Sequence, residues 1–279
     1  MVESKYRGDI MRNGAFSARR VFANKMTITF VLLGLVIMLF VLVPLVKTVL
    51  GSSPTILFDA LLDEEVRGAI WLSIYAALLA TLIGAVFGVP LPYLLARFSF
   101  PGKRTLEGLI DVPIVIPHTA AGIALLFVFG RNFFVGKAFG LIGIEFVDSV
   151  AGIIIAIMFV SIPFLIDSAK EGFKSIDVRL EKVSRTLGAS PWQTFFRVSL
   201  PLAWRSILAG NIMMWARGIS EFGAVLIIAY HPMVASILVA DRFEGYGLDY
   251  ARPVAALLII ICLTIFVGLR AFAYRGEKA

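Results

Sequence analysis

Long segments without a charged side chain constrain the fold of this chain more than any other feature. Five of these segments contain no Asp, Glu, Lys or Arg, and a sixth is interrupted only by Arg217 and Glu221. They cover residues 27–46, 69–96, 112–130, 150–166, 206–233 and 253–269. An α-helix needs about 20 apolar residues to cross the hydrocarbon core of a bilayer. Because a soluble protein rarely holds several buried helices of this kind, we predict an all-α integral membrane protein with six transmembrane helices.

The six apolar segments also give the domain organisation. The predicted helices cover residues 26–49, 67–97, 105–130, 149–169, 203–230 and 252–274, which together form one transmembrane domain, residues 26–274. A basic arm, residues 1–25, precedes this domain, and a short tail, residues 275–279, follows it. Pro90 and Pro92 predict a kink in the second helix, and Pro113 and Pro117 predict a break in the third.

Lysine and arginine are unevenly distributed between the two sides that six alternating helices define. The side that holds the N-terminus carries nineteen of these residues, and the other side carries six. Cytoplasmic segments of membrane proteins are enriched in Lys and Arg. We therefore predict a multi-pass protein of the cell membrane, in contact with the lipid bilayer and with both termini in the cytoplasm. Nucleic-acid binding is not expected, because the basic residues flank apolar segments and do not build one face.

No motif in the sequence indicates an enzyme or a metal site. Residues 130–137 resemble a phosphate-binding loop, but five residues separate the glycines and Ala138 follows the lysine. Two histidines, His118 and His231, and one cysteine, Cys262, are too few for a zinc site. We therefore expect neither catalysis nor a bound cofactor in this chain. A secondary transporter is the alternative of a different class, but it predicts an internal repeat or ionisable residues along several helices, and neither is present.

The polar segment 170–205, between the fourth and fifth predicted helices, is the most informative part of the chain. Leu180, Val183 and Leu187 fall on one face of a short amphipathic helix, with charged residues opposite. Gly188 ends this helix, because glycine adopts the left-handed conformation without a Cβ penalty. Ser190 then begins a second helix as its N-cap, with Pro191 and Gln193 at the positions typical of a helix start. Two short helices at a fixed angle give a rigid surface for another protein, although an ordinary amphipathic loop fits the same pattern.

The spacing in this segment resembles the EAA loop of permease subunits of ATP-binding-cassette (ABC) importers. That pattern is Glu-Ala-Ala, three residues, Gly, nine residues, Ile, one residue and Leu-Pro. With Gly188 as the glycine, residues 182–184 occupy the triplet, and Glu181 lies one position earlier, so the triplet itself is absent. The resemblance implies that segment 170–205 is a coupling loop seated in a partner ATPase. The implied coupling residues are Glu181, Lys182, Val183, Ser184, Arg185, Gly188, Ala189, Val198, Leu200 and Pro201.

Two further stretches resemble the molybdate/tungstate branch of these permeases. One is residues 111–122, and the other is residues 216–224, followed by residues 229–232. Sulfate permeases share much of this pattern, so molybdate, tungstate and sulfate stay open as substrates. The resemblance implies a homodimer, two ATPase subunits that bind ATP and Mg²⁺ on the cytoplasmic side, and a substrate-binding protein outside.

The charged residues inside the fifth apolar segment are candidates for the translocation path. A charge at mid-membrane costs roughly 2.5–3.5 kcal/mol, so Arg217 and Glu221 are expected to face protein or water. Their spacing of four residues allows them to pair on one helix. They either brace the helix as an ion pair or line the path, and His118, directly after Pro117, is either a buried polar bridge or a path residue. The candidates for the path or its gate are His118, Thr119, Arg217, Ser220 and Glu221.

Overall fold

The computed structural model describes residues 25–274, with side chains described as far as residue 268. These residues form fourteen α-helices: α1 Lys25–Leu50, α2 Pro54–Leu62, α3 Glu64–Gly88, α4 Pro90–Arg97, α5 Lys103–Val115, α6 His118–Phe129, α7 Phe134–Gly140, α8 Val150–Ser175, α9 Val178–Thr186, α10 Pro191–Thr194, α11 Leu200–Ile219, α12 Gly223–Ile228, α13 Ala235–Tyr246 and α14 Leu248–Tyr274. A π-helical turn, Phe195–Ser199, lies between α10 and α11. The chain divides after Gly51 into two compact units, and α1 is the described helix of the first. The predicted tail and all but the last residue of the predicted arm lie outside the described residues.

The prediction of an all-α membrane protein is confirmed, but the count of six transmembrane helices is not. Among the described residues, four helices are long and apolar enough to span a membrane: α1, α3, α8 and α14 as far as Gly268. Helices α5 and α6 make a fifth if the pair is one span, although they are bent by 112°. The fifth predicted helix corresponds mainly to α11. This helix contains Arg205, Asn211 and Arg217, which make it less apolar than the four spans.

Prolines determine two of the helix boundaries. The predicted kink in the second helix is confirmed, because α3 ends at Gly88 and α4 begins at Pro90. The predicted break in the third helix occurs at Pro117, which lies directly before α6. Pro113, in contrast, lies inside α5 and does not end it. A break at Pro117 alone is enough to turn the chain through the 112° bend.

The segments predicted as outer loops contain helices of their own. Residues 50–66 include α2, residues 131–148 include α7, and residues 231–251 include α13. α13 buries Ala235, Ile237 and Leu238, and Ala235 and Leu238 share a core cluster with residues of α3 and α14. Twelve residues are too few to cross a membrane, so the hydropathy signal does not reveal this helix.

Helices α8 and α11 form the centre of the second unit, and small residues allow their close approach. A Cβ atom on Gly172 or Gly210 would meet the opposing helix at less than 3 Å. The hydroxyl of Ser168 donates a hydrogen bond of 2.7 Å to the carbonyl oxygen of Ser206 across this contact. Helix association in membranes uses small residues and interhelical hydrogen bonds of this type. This contact holds the segment between the two helices in a defined position.

An ion cluster joins α13 to the start of α3. Arg242 Nη2 lies 2.7 Å from Asp63 Oδ2 and 2.9 Å from Glu65 Oε2. Asp63 is also the N-cap of α3 and accepts a hydrogen bond from the Glu65 N–H. The hydrogen bond from Arg242 lowers the pKa of Asp63 below its ordinary value of 3.8. The charged form of Asp63 therefore favours the folded state.

We expect the stability contribution of Asp63 to be complete above about pH 4 and to disappear as the pH falls further. The sign follows from a folded-state pKa below the unfolded value, because the unfolded chain takes up the proton first on acidification. Thermal unfolding of purified wild-type protein and the Asp63→Asn variant should differ near neutral pH and converge in acid, once the pH is below the folded-state pKa of Asp63. Asp59→Asn, which removes an exposed carboxylate from the same segment, is the control and should show no such convergence. A constant difference between wild type and Asp63→Asn at all pH values would contradict the assignment.

Candidate functional site

Three side chains from two broken helices form an ionic cluster: His118, Arg217 and Glu221. Glu221 Oε2 lies 3.0 Å from both Arg217 Nη2 and His118 Nδ1. Arg217 Nη2 lies 2.9 Å from His118 Nδ1 and 3.1 Å from its Nε2. The Glu221 side chain is 1% exposed, whereas those of Arg217 and His118 are 26% and 29% exposed. The Arg217 guanidinium and the His118 ring are therefore the accessible part of the cluster, and the carboxylate lies behind them.

The position of Glu221 depends on a break that the sequence does not reveal. The fifth helix was predicted to continue to residue 230, but this is wrong: α11 ends at Ile219 and α12 begins at Gly223. Glu221 Oε1 accepts a hydrogen bond of 3.0 Å from the Ala224 N–H in the first turn of α12. The hydroxyl of Ser236 donates to the Glu221 carbonyl oxygen. The buried carboxylate thus satisfies one of the free N–H groups at the start of α12, which a continuous helix would not offer.

Close packing of α6 on α12 brings His118 to the other two members of the cluster. A Cβ atom on Gly223 would lie 2.8 Å from His118 Cβ, so only glycine fits at this position without a shift. Four of the five predicted path residues are in contact here, because the Ser220 hydroxyl lies 3.5 Å from Arg217 Nη1. The fifth, Thr119, is an exposed neighbour of His118. The predicted pairing of Arg217 with Glu221 is thereby observed, and His118 bridges the two helices.

The second candidate site is the segment that follows α8. The structure has the two helix boundaries that the sequence predicts: α9 ends at Thr186, and Gly188 has a φ of +92°. Ser190 is the N-cap of α10, and it forms a capping box with Gln193. The second helix is not a separate short helix, because α10 continues through the π-helical turn into α11. The chain is therefore helical without interruption from Pro191 to Ile219.

Pro201 explains the π-helical turn. A proline has no N–H, and in a regular α-helix its ring clashes with the carbonyl group four residues earlier, here that of Arg197. The preceding residues form wider hydrogen bonds instead, and the Leu200 N–H donates to the Phe195 carbonyl oxygen, five residues back. The proline in the Leu-Pro pair of the sequence pattern therefore widens the helix locally at the start of α11.

The apolar face of α9 points away from the other residues that the structure describes. Leu180, Val183 and Leu187 are all exposed, with Leu187 83% exposed. An amphipathic helix normally buries its apolar face against its own core. An exposed apolar face on a short helix is instead typical of an interaction surface. We call Leu180, Val183 and Leu187 the outer face of α9.

Glu181 lies on the opposite side of α9 and is buried. Its Oε1 atom lies 2.8 Å from Arg97 Nε and accepts a hydrogen bond of 2.7 Å from the Ser199 hydroxyl. Sequence reasoning identified Glu181 as a candidate ATPase contact and missed both of its partners. Arg97 is separated from Glu181 by 84 residues, and it was counted only as one of the cytoplasmic basic residues. Of the other predicted coupling residues, Lys182, Arg185 and Pro201 are exposed, whereas Ser184, Ala189, Val198 and Leu200 are half-buried.

The comparisons with known proteins identify the family. Residues 88–275 match the model of the binding-protein-dependent transport system inner membrane component. The chain belongs to this family. The match begins at the end of α3 and includes both the ionic cluster and the segment around α9.

Two relatives in this transport family are described as molybdate/tungstate transport system permease proteins. The WtpB protein of Pyrococcus furiosus is 46% identical over 223 residues, which cover 80% of this chain and 83% of the relative. The WtpB protein of Thermococcus kodakarensis is 44% identical over 243 residues, which cover 86% and 93%. A protein of Chlorokybus atmophyticus, described as a probable sulfate transport system permease, is 34% identical over 201 residues and covers 71% and 70%.

Solved structures show the same fold. A bacterial alginate ABC transporter, in complex with an alginate pentasaccharide-bound periplasmic protein, contains a chain that superposes with a TM-score of 0.70. The alignment covers 94% of this chain and 97% of the other, at 16% sequence identity. At this identity the likeness concerns the fold. This chain therefore shares its fold with a chain of that ABC transporter.

Proposed function

We propose that this chain is the permease subunit of an ATP-driven importer of molybdate or tungstate. The observation that carries the proposal is the 44–46% identity to two molybdate/tungstate permeases over most of the chain. Sulfate is the second candidate substrate, because the probable sulfate permease of Chlorokybus atmophyticus is 34% identical to the chain. The difference in identity favours molybdate and tungstate.

The proposed importer contains more than this chain. Two copies of the permease form the path, and two ATPase subunits bind ATP and Mg²⁺ on the cytoplasmic side. A substrate-binding protein delivers the oxyanion from outside, and both termini of the permease are cytoplasmic. The permease itself performs no hydrolysis in this arrangement. The matched family, whose members are inner membrane components of binding-protein-dependent systems, supports these partners in general terms.

The outer face of α9 is the proposed docking surface for the ATPase subunit. Its exposed leucine and valine side chains supply apolar area, and the exposed Lys182 and Arg185 supply positive charge at its edge. Apolar centres with a polar rim are typical of protein–protein interfaces. Ser184 supports this surface from behind, because its hydroxyl oxygen lies 3.2 Å from that of Thr194 and joins α9 to α10.

The ionic cluster is the proposed point at which the oxyanion meets positive charge in the membrane. Arg217 and His118 are partly accessible, and Ser220 and Thr119, the other two predicted path residues, are exposed. Glu221 offsets the charge of Arg217 from behind, so the anion is attracted without being held tightly. The alternative is that the cluster only braces α6 against α11, and uptake by a variant that lacks the charges of both Arg217 and Glu221 separates the two roles.

Competition for uptake tests the substrate. Radioactive tungstate is added to liposomes that contain the complete importer, with its binding protein outside and ATP inside. We expect excess unlabelled molybdate to reduce tungstate uptake about tenfold or more. The same concentration of sulfate should leave tungstate uptake unchanged, because the importer selects among oxyanions by affinity. Inhibition by sulfate as strong as that by molybdate would contradict the molybdate/tungstate assignment and favour sulfate.

A further inference from the structure

The attachment of α9 to the rest of the molecule is unusual for an amphipathic helix. Within the nine residues of α9, the one buried side chain is that of Glu181, and it is a carboxylate. The apolar side chains of the outer face point away, so apolar burial contributes little to this attachment. Polar contacts therefore hold the helix in place, and the buried one among them is that of the Glu181 carboxylate.

Glu181 is surrounded by groups that complement its charge. The Arg97 and Glu181 side chains are 7% and 8% exposed, and the Nε–Oε1 distance is 2.8 Å. The Ser199 hydroxyl, which is fully buried, donates to the same Oε1 atom. Arg97 Nη2 also donates to the Ile176 carbonyl oxygen at 3.4 Å. Charge-assisted hydrogen bonds of this kind fix direction as well as distance.

The contacts of the Arg97–Glu181 pair lie at the ends of three different helical segments. Arg97 is the last residue of α4, which continues α3 beyond the kink. Ile176 directly follows the last residue of α8, and Ser199 directly precedes α11. One carboxylate and one guanidinium group therefore connect α9 with all three segments.

We propose that Arg97, Glu181 and Ser199 form a transmission joint, in which Glu181 is a positioning residue that passes movement of α9 to α4, α8 and α11. The inference rests on the proposed function, and it assigns Glu181 to the interior of the permease and not to the ATPase contact. Apolar surfaces slide over one another at little cost in free energy. Separation of a buried ion pair instead leaves two buried charges without a partner, at a large cost in free energy. The joint therefore makes α4, α8 and α11 move together with α9 when the docked ATPase subunits move.

The test compares uptake with ATP hydrolysis in the complete importer reconstituted in liposomes. Glu181→Gln keeps the shape of the side chain and removes its charge, and Arg97→Gln removes the charge of its partner. We expect both variants to bind the ATPase subunit like wild type and to hydrolyse ATP, while the amount of oxyanion taken up per ATP falls about tenfold, because a buried ion pair is broken in each. Glu171→Gln, which breaks an exposed ion pair with Lys174 in α8, is the matched control and should retain the wild-type ratio.

Several results would overturn the joint. An unchanged ratio of uptake to hydrolysis in both variants would show that the ion pair only stabilises the fold. Loss of ATPase binding in Glu181→Gln, with normal binding in Arg97→Gln, would place Glu181 at the ATPase contact. If a charge variant does not assemble, the uptake per ATP is measured on Ser199→Ala instead, because this variant removes only one hydroxyl from the joint. Failure of the proposed function is distinct, because wild-type protein would then show no ATP-dependent uptake.

Discussion

Replacement of Glu221 by alanine is expected to cause a large loss of stability. The carboxylate is 1% exposed, and its removal leaves Arg217 and His118 facing each other without a counter-ion. Breaking a buried ion pair by removal of one partner costs about 3–5 kcal/mol, and the partial exposure of Arg217 moves the expected value toward the lower end. Thermal unfolding of the purified variant in detergent measures this loss. Glu145→Ala, which breaks an exposed ion pair with Arg131, should change the stability by less than about 0.5 kcal/mol.

A double variant separates the two roles that the ionic cluster offers. Arg217→Gln/Glu221→Gln removes both charges together, so most of the lost stability should return. If Arg217 meets the oxyanion in the path, the double variant folds but takes up little oxyanion. Recovery of both stability and uptake would mean that the cluster is only a brace. A Glu221→Ala variant as stable as Glu145→Ala would contradict the assigned burial of the carboxylate altogether.

Replacement of Leu187 by aspartate is expected to abolish binding of the ATPase subunit without loss of folding. Leu187 is 83% exposed, so a charge at this position costs the isolated permease little. In a docked complex the same carboxylate would be buried without a partner, at a cost of several kcal/mol. We therefore expect the affinity for the ATPase subunit to fall about 100-fold or more, as measured by co-purification and titration with the ATPase subunit.

An equally exposed leucine provides the control for this variant. Leu141, which directly follows α7 in the segment 131–148, is 90% exposed, and Leu141→Asp should bind the ATPase subunit like wild type. Binding of Leu187→Asp with wild-type affinity would mean that the outer face of α9 is not the docking surface. Loss of binding in both variants would indicate a general effect of added negative charge. It would equally contradict the assignment of the outer face of α9 as the docking surface.

Local signals in the sequence predicted the segment around α9 well. Gly188 ends a helix and Ser190 begins the next, because a left-handed turn and an N-cap depend on a few adjacent residues. The break at Pro117 and the kink at Pro90 were predicted for the same reason. The amphipathic pattern of α9 was also correct, although the pattern alone does not decide whether the apolar face points inward or outward. The structure shows that it points outward.

Features that depend on tertiary contacts were not predictable from the sequence. The ion pair of Arg97 with Glu181 joins residues 84 positions apart, and each of them alone is typical of a solvated cytoplasmic charge. The break between α11 and α12 has no proline to indicate it, because it depends on the capping contact that the buried Glu221 makes with Ala224. The helices in the outer segments were missed because they are too short for a hydropathy signal. In each case the local sequence favours one structure, and the packed neighbours determine another.

The measurement that tests the account most directly is oxyanion uptake by liposomes that contain the permease, its ATPase subunits and an external binding protein. Radioactive molybdate or tungstate is supplied outside the liposomes. ATP and Mg²⁺ are enclosed inside them, on the side where the ATPase subunits are bound. We predict uptake that requires ATP, the binding protein and the permease together. Uptake that continues unchanged without ATP would contradict the assignment as an ABC importer permease and would favour a secondary transporter.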